Sequence, residues 1–150
     1  MDYVIDRPQL YSLIDQEVSR VANETYADDG TSLYDNIIVT SNDRTAIERL
    51  ENDAIDSFVK RTFDICTPVY DNGETESGLA FDVPGFDAAM GPATEREITR
   101  YIVFSTCAGW FRSRCVSRVE EFSALAKEAM DKAVTFLKSI KAPERNENNN

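Results

Sequence analysis

The 150-residue chain contains no histidine. Histidine is the side chain whose charge changes near neutral pH, and it is the commonest metal ligand. Acid–base or metal chemistry would therefore fall to Asp, Glu, Lys, Cys or a bound cofactor. Cysteine is scarce as well. Cys66, Cys107 and Cys115 are odd in number and form no CxxC pair, which reads as reduced, structural thiols of the kind a cytoplasm maintains. No stretch approaches the roughly 18 apolar residues that a membrane helix needs, so no membrane span is expected. The opening residues Met1–Asp6 lack a basic region followed by an apolar core, so no secretory signal is expected either. The glycines form neither a GxxxxGK nor a GxGxxG loop, which removes the common phosphate- and dinucleotide-binding signatures. Basic side chains are outnumbered, 16 against 27 acidic ones, for a net charge of −11. Such a field repels a nucleic-acid backbone. These absences point toward assembly or interaction and away from catalysis, with no cofactor and no metal site expected.

The length suits one domain with a core large enough to fold unaided. The reading is one domain over 1–141, followed by a disordered polar tail over 142–150 that ends in Asn148, Asn149 and Asn150. Within the domain, hydrophobic periodicity marks four helices. Leu10, Leu13, Ile14, Val18, Val21 and Ala22 trace the first, about 8–26, with Pro8 suited to its first turn. The polar loop after it leads to an apolar patch, Leu33 to Val39, open between a strand and a docked extended segment. Ile47, Leu50, Ala54, Ile55, Phe58, Val59 and Phe63 trace a second helix, about 43–63, preceded by the competent caps Thr40, Ser41, Asn42 and Asp43.

The period changes to two at Asp64. Two alternating runs flank Asp71-Asn72-Gly73, a turn signal, and predict a β-hairpin over about 65–83 with an exposed tip. Two strands alone are marginal, so one face must pack on helices or on another chain. Thr94 and Glu97 read as a capping box for a third helix, and Ser117 and Glu120 as one for a fourth. The third is apolar over so wide a face that it is either the most central helix or one buried on two sides. The fourth carries Phe122, Ala126, Ala129 and Ala133 at close to 3-4 spacing, a seam that a partner helix can approach closely. The fold class is thus mainly α with a β-hairpin insertion (α+β), the hairpin lying between the second and third helices.

Charge is segregated along the chain. Residues 1–36 hold eight acidic and two basic side chains, and residues 71–97 hold seven acidic and one basic. Residues 98–118 hold Arg100, Arg112, Arg114 and Arg118 and no acid. A basic patch beside acidic segments suits a self-complementary interface. The candidate interface residues are Trp110, Arg112, Arg114 and Arg118, the tip acids Asp71, Glu74 and Glu76, and the seam Phe122, Ala126, Ala129 and Ala133. Trp110 beside arginines has hot-spot composition, although it equally suits a core. The arginines are alternatively a nucleic-acid site, or merely solvate the helix end. The acids Glu48, Glu51, Asp53 and Asp56 on the second helix read as a solvated face, with a divalent-cation site as the sharper alternative. No catalytic residue is assigned.

The order helix, capped helix, hairpin, long helix, terminal helix, with Ser41-Asn42-Asp43 and Ala46 to Phe58 opening the second helix and Pro92 to Phe111 the long one, resembles the small head–tail connector or neck-ring proteins of tailed bacteriophages. It looks most like versions from phages and prophages of Bacteroides-type bacteria. The resemblance covers about 40–140. It implies a virion structural protein at the portal vertex, present in the host cytoplasm during assembly. Such a protein forms a homo-oligomeric ring, contacts the portal and tail or an adjacent ring, and lets double-stranded DNA pass without specific binding. The other readings are a helical protein-binding adaptor that uses its last helix, and a small metal-dependent carboxylate enzyme.

Overall fold

The computed structural model describes residues 1–142. Pro143, a residue type that stops helices, and most of the expected disordered tail lie outside the described residues. The chain is mainly helical with a small antiparallel sheet. Strand β1 (Asp2–Val4) leads into α1 (Arg7–Glu24), and a single helical turn, α2 (Tyr34–Ile37), precedes α3 (Arg44–Arg61). The hairpin strands β2 (Cys66–Asp71) and β3 (Thr75–Phe81) follow, then α4 (Gly91–Phe111) and α5 (Val119–Leu137).

Local chemistry sets most boundaries. The Asp6 carboxylate caps α1 by accepting from the Gln9 amide at 3.0 Å, and Pro8 occupies the first turn, where no amide partner is required. Ahead of α3, the Asp43 carboxylate accepts from both the backbone amide and the hydroxyl of Thr40 at 2.9 Å. The two expected capping boxes do not form. Helix α4 starts at Gly91, so Thr94 already lies inside its first turn, where its hydroxyl donates to the Met90 carbonyl at 2.7 Å. Helix α5 starts at Val119 after a 3-10 turn, Val116–Arg118, which absorbs Ser117. In both cases the helical conformation begins earlier than the capping pattern implies, so the Ser or Thr is already within a turn.

The sheet has the order β1-β3-β2. The hairpin occupies the expected segment, and its turn is tight. The Glu74 amide donates to the Asp71 carbonyl at 3.1 Å, with Asn72 and Gly73 both in left-handed backbone at φ 48° and 78°. Asn and Gly tolerate that region better than other residues. The third strand comes from residues 1–5, whose period-two pattern Met1, Tyr3, Ile5 alternates with Asp2, Val4, Asp6. Tyr3 faces Leu79, and Val4 faces Gly78, which in turn faces Val69. A Cβ at Gly78 would sit 2.7 Å from the Tyr3 carbonyl oxygen, so the close approach of β1 depends on glycine there.

The sheet's inner face meets α3 and α4. Phe58 packs edge-on to Phe81 at 6.1 Å and against Tyr101 at 5.7 Å, and the Tyr3 and Thr99 hydroxyls share a 3.0 Å hydrogen bond. Helix α4 is central, packed by α1, α3 and α5. Gly109 lets α3 come close, since a Cβ there would meet Leu50 at 2.8 Å. Helix α5 returns along α4. Phe122 lies 6.0 Å from Phe104 and 5.0 Å from Phe111, and beyond α5 the Lys141 amide reaches the Gly85 carbonyl at 2.9 Å.

The apolar patch 33–39 forms neither a strand nor an extended segment. Its carbonyls are claimed by side chains instead of a ladder. The buried indole N–H of Trp110 donates to the Ile37 carbonyl at 2.7 Å, and Ile37 is itself fully buried. The segment therefore closes into one helical turn against the end of α4.

Candidate functional site

Folding divides the candidate interface residues into an inner and an outer set. Phe122, Ala126, Ala129 and Ala133 are buried within the chain. The close-packing partner of the α5 seam is α4, so these four residues are core and are unavailable to a second chain unless the helices separate. Trp110 is also core, 4% exposed, and its only polar atom is spent on Ile37. The reading of Trp110 as a surface anchor is thus replaced by one in which it locks α2 onto α4.

The basic stretch is largely neutralised from within. Arg100 Nη1 lies 3.3 Å from Glu97 Oε1, and its guanidinium lies over the Phe104 ring. Arg114 stacks on the Trp110 ring, 3.8 Å from its centroid, and lies 3.9 Å from the Asp43 carboxylate. Arg118 bridges Glu24 at 3.4 Å and Glu121 at 3.0 Å. Acid meets base as the charge segregation predicts, but for these three arginines the meeting is intramolecular. Arg112 differs: it is exposed, and among the described residues it forms no ion pair.

The hairpin tip is the outer set. Residues 69–75 are all exposed, so the tip projects from the body. Asp71 and Glu74 form no ion pair among the described residues. Glu76, half-buried at the base of the tip, has its pKa raised, first by burial and then by the negative charge of Asp56, while Arg7 opposes the shift. Val69 and Tyr70 on β2 and Val4 on β1 are exposed large apolar side chains, as is Phe63 just before β2. Val4, Gly78 and Val69 lie in one row across the sheet, so the outer sheet face carries a shallow apolar hollow over Gly78. Such a row of apolar groups is an interaction surface in waiting.

The free edges of the sheet are not equivalent. Gly78 and Ala80 of β3 point their backbone groups at β2, so Cys66 and Pro68 point outward from it. The Cys66 amide is taken by the Thr62 carbonyl at 2.8 Å, and Pro68 has no amide. An edge so blunted resists a further strand. The edge of β1 is open at Asp2 and Val4, and it borders a cleft of about 600 Å³ whose other walls are Leu13 of α1 and Glu95, Arg96 and Thr99 of α4.

The expected solvated acidic face of the second helix is interrupted by a buried residue. Glu51 is 1% exposed. It pairs with Arg7 at 3.0 Å, while the other arm of the same guanidinium donates to the Asn52 side chain at 2.8 Å. Burial raises the Glu51 pKa and Arg7 opposes the rise. The signal was present in the sequence, because Glu51 falls on the Ile47, Ala54, Ile55, Phe58 stripe. Among the described residues no group of three or more His, Cys, Asp or Glu side chains is placed to hold a metal ion. Cys66, Cys107 and Cys115 are all buried and unpaired, and burial pushes the Cys66 and Cys107 thiols up. No helix among the described residues is long and apolar enough to cross a membrane.

A second groove, of about 230 Å³, lies between α3 and α4. Its floor is Leu50, Gly109 and Trp110, and its walls carry Arg49 and Arg114. Arg49 is exposed and, like Arg112, forms no ion pair among the described residues. The sequence reading did not single it out. Its signal was a basic residue set between the acids Glu48 and Glu51 on the second helix.

Comparison with known protein families, curated proteins and solved structures finds no match to this chain.

Proposed function

We propose that this chain is a non-catalytic structural subunit that assembles with copies of itself into a ring, of the kind that joins a phage portal to its tail. The observation that carries the reading is the projecting hairpin. A chain whose core is otherwise well filled extends an exposed, apolar-flanked turn whose acids Asp71 and Glu74 form no ion pair among the described residues, and presents Val4 and Val69 on the open face behind it. Ordering such an arm in solvent gains little burial, and a neighbouring molecule supplies what is missing. Of the remaining large exposed apolar groups, Tyr26, Val116 and Ile140, the first two lie at the far end of α4, where Arg118 holds Glu24. Distinct sticky surfaces at two ends suit head-to-tail contacts, which close into rings when the rotation permits. The net charge of −11 suits a channel along which DNA slides without binding. An adaptor that binds its partner through the α5 seam is disfavoured, because that seam is spent on α4.

The test is to image the purified chain alone and mixed with the portal protein encoded nearest to its gene. Closed rings, alone or seated on the portal, are the expected result. A chain that forms no ring in either sample, while folded, would sink the reading.

A further inference from the structure

We propose that the acidic hairpin tip of one copy seats in the α3–α4 groove of the next. This rests on the self-assembly reading above and names the two surfaces that meet.

The tip is pre-shaped. Its turn is closed by the 3.1 Å bond from the Glu74 amide to the Asp71 carbonyl, with Asn72 and Gly73 already in left-handed backbone, so little ordering remains to be done on docking. It presents two carboxylates, Asp71 and Glu74, that form no ion pair among the described residues, flanked by the exposed ring of Tyr70.

The groove is its complement. Leu50, Gly109 and Trp110 make an apolar floor, and Arg49 stands on the wall with no ion pair among the described residues. Arg114 is fixed on the other side by its stack on Trp110. Arg112 precedes the groove-lining Ser113 and is likewise unpaired. Two acids on a projecting turn, Arg49 on the cleft wall and Arg112 one residue from Ser113 are opposite charges that form no ion pair among the described residues. Complementary potentials of this sort set register and partner choice.

The contact is not made within one molecule, since neither Asp71 nor Glu74 forms an ion pair with Arg49 or Arg112 among the described residues. The sheet that carries the tip is tied to α4 at Thr99, through the Tyr3 hydroxyl on β1, whereas the α4 side of the groove begins at Gly109, about 15 Å further along the helix at 1.5 Å per residue. Tip and groove are different surfaces, so the contact is heterologous and propagates from copy to copy.

The experiment uses the full chain and two variants, D71K/E74K with a basic tip and R49E/R112E with an acidic groove. Self-association is read by sedimentation velocity across a concentration series, and urea midpoints near that of wild type establish that each variant folds. The wild type is expected to self-associate. Each variant alone is expected to do so at least tenfold more weakly. An equimolar mixture is expected to recover assembly, because the basic tip fits the acidic groove and the acidic tip the basic groove. A wild type still monomeric at about 1 mM, the weak end of measurable affinity, overturns the proposal. So does a mixture that fails to recover. Wild-type-like association of both variants also overturns it while leaving the ring reading intact, whereas failure of that reading shows separately, as the absence of rings with and without portal.

Discussion

Replacing Arg7 by Ala is expected to weaken the fold in a way that depends on pH. Arg7 reaches from the first turn of α1 to α3, where its two arms sit 3.0 Å from Glu51 and 2.8 Å from Asn52. The Glu51 side chain is 2% exposed and that of Arg7 30%. Removing one member of a buried ion pair costs about 3–5 kcal/mol, because the remaining charge stays buried and unmatched. Partial exposure of Arg7 admits water, which lowers the expected loss to about 2–4 kcal/mol at neutral pH. That is a large share of the roughly 5–15 kcal/mol that holds a domain together. The sign of the pH dependence follows from the raised pKa of Glu51. A carboxyl that binds its proton more tightly in the fold than in the unfolded chain favours folding at low pH, and that contribution fades as pH rises through the folded pKa. Without Arg7 the pKa rises further, so the deficit should shrink as pH falls and Glu51 takes up its proton. Urea unfolding with an unchanged slope measures it. E51Q in the R7A background should recover most of the loss. A deficit under about 1 kcal/mol at neutral pH, the range of an exposed pair, or a deficit that ignores pH, would refute the argument.

Four further outcomes follow from the packing. W110F removes the donor to the buried Ile37 carbonyl and is expected to cost about 1–3 kcal/mol, with hydrogen exchange at residues 34–38 rising first. G78V drives side-chain atoms onto the Tyr3 carbonyl and should release β1, seen as faster proteolysis near the N-terminus and a loss of about 1–3 kcal/mol, the usual cost of overpacking; a variant with β1 still protected would count against the close approach. A129L should destabilise the isolated chain by a similar overpacking cost of about 1–3 kcal/mol, measured by thermal melting, since Ala129 faces α4; unchanged stability with altered assembly would return the seam to an interface. E76Q removes a carboxylate whose pKa is raised, so it should stabilise the fold at neutral pH and flatten the stability profile over the range where Glu76 titrates, as followed by urea midpoints.

Much of the fold was legible because local rules acted without competition. Leu10, Ile14, Val18 and Val21 repeat at helical spacing and are buried in α1, and Asp71-Asn72-Gly73 has few conformations other than a tight turn. The capping boxes at Thr94 and Ser117 misled for a physical reason. A cap pattern reports that a side chain is able to bond a helix start, while the start itself is fixed by where the preceding chain turns. The patch 33–39 was ambiguous for the complementary reason, since a short apolar run takes whatever conformation its neighbour's donors demand, and here the donor is Trp110.

The candidate surface was half legible. That Asp71 and Glu74 project follows from a turn between strands, and their exposure needed no tertiary information. Which arginines remain free did need it. Arg100, Arg112, Arg114 and Arg118 look alike in sequence, and only the placement of Glu97, Asp43, Glu24 and Glu121 separates the neutralised three from Arg112. The small-residue seam of α5 announced a close helix contact correctly, but spacing specifies a partner's shape and not its chain, and the fold supplied α4. The sequence by itself determined the periodic elements, the acidic excess and the shape of the turn, because these depend on neighbours a few residues apart. The tertiary structure decided the third strand, the buried Arg7–Glu51 pair and the division of charge into spent and unspent, because each of these depends on residues distant in the chain meeting at one place.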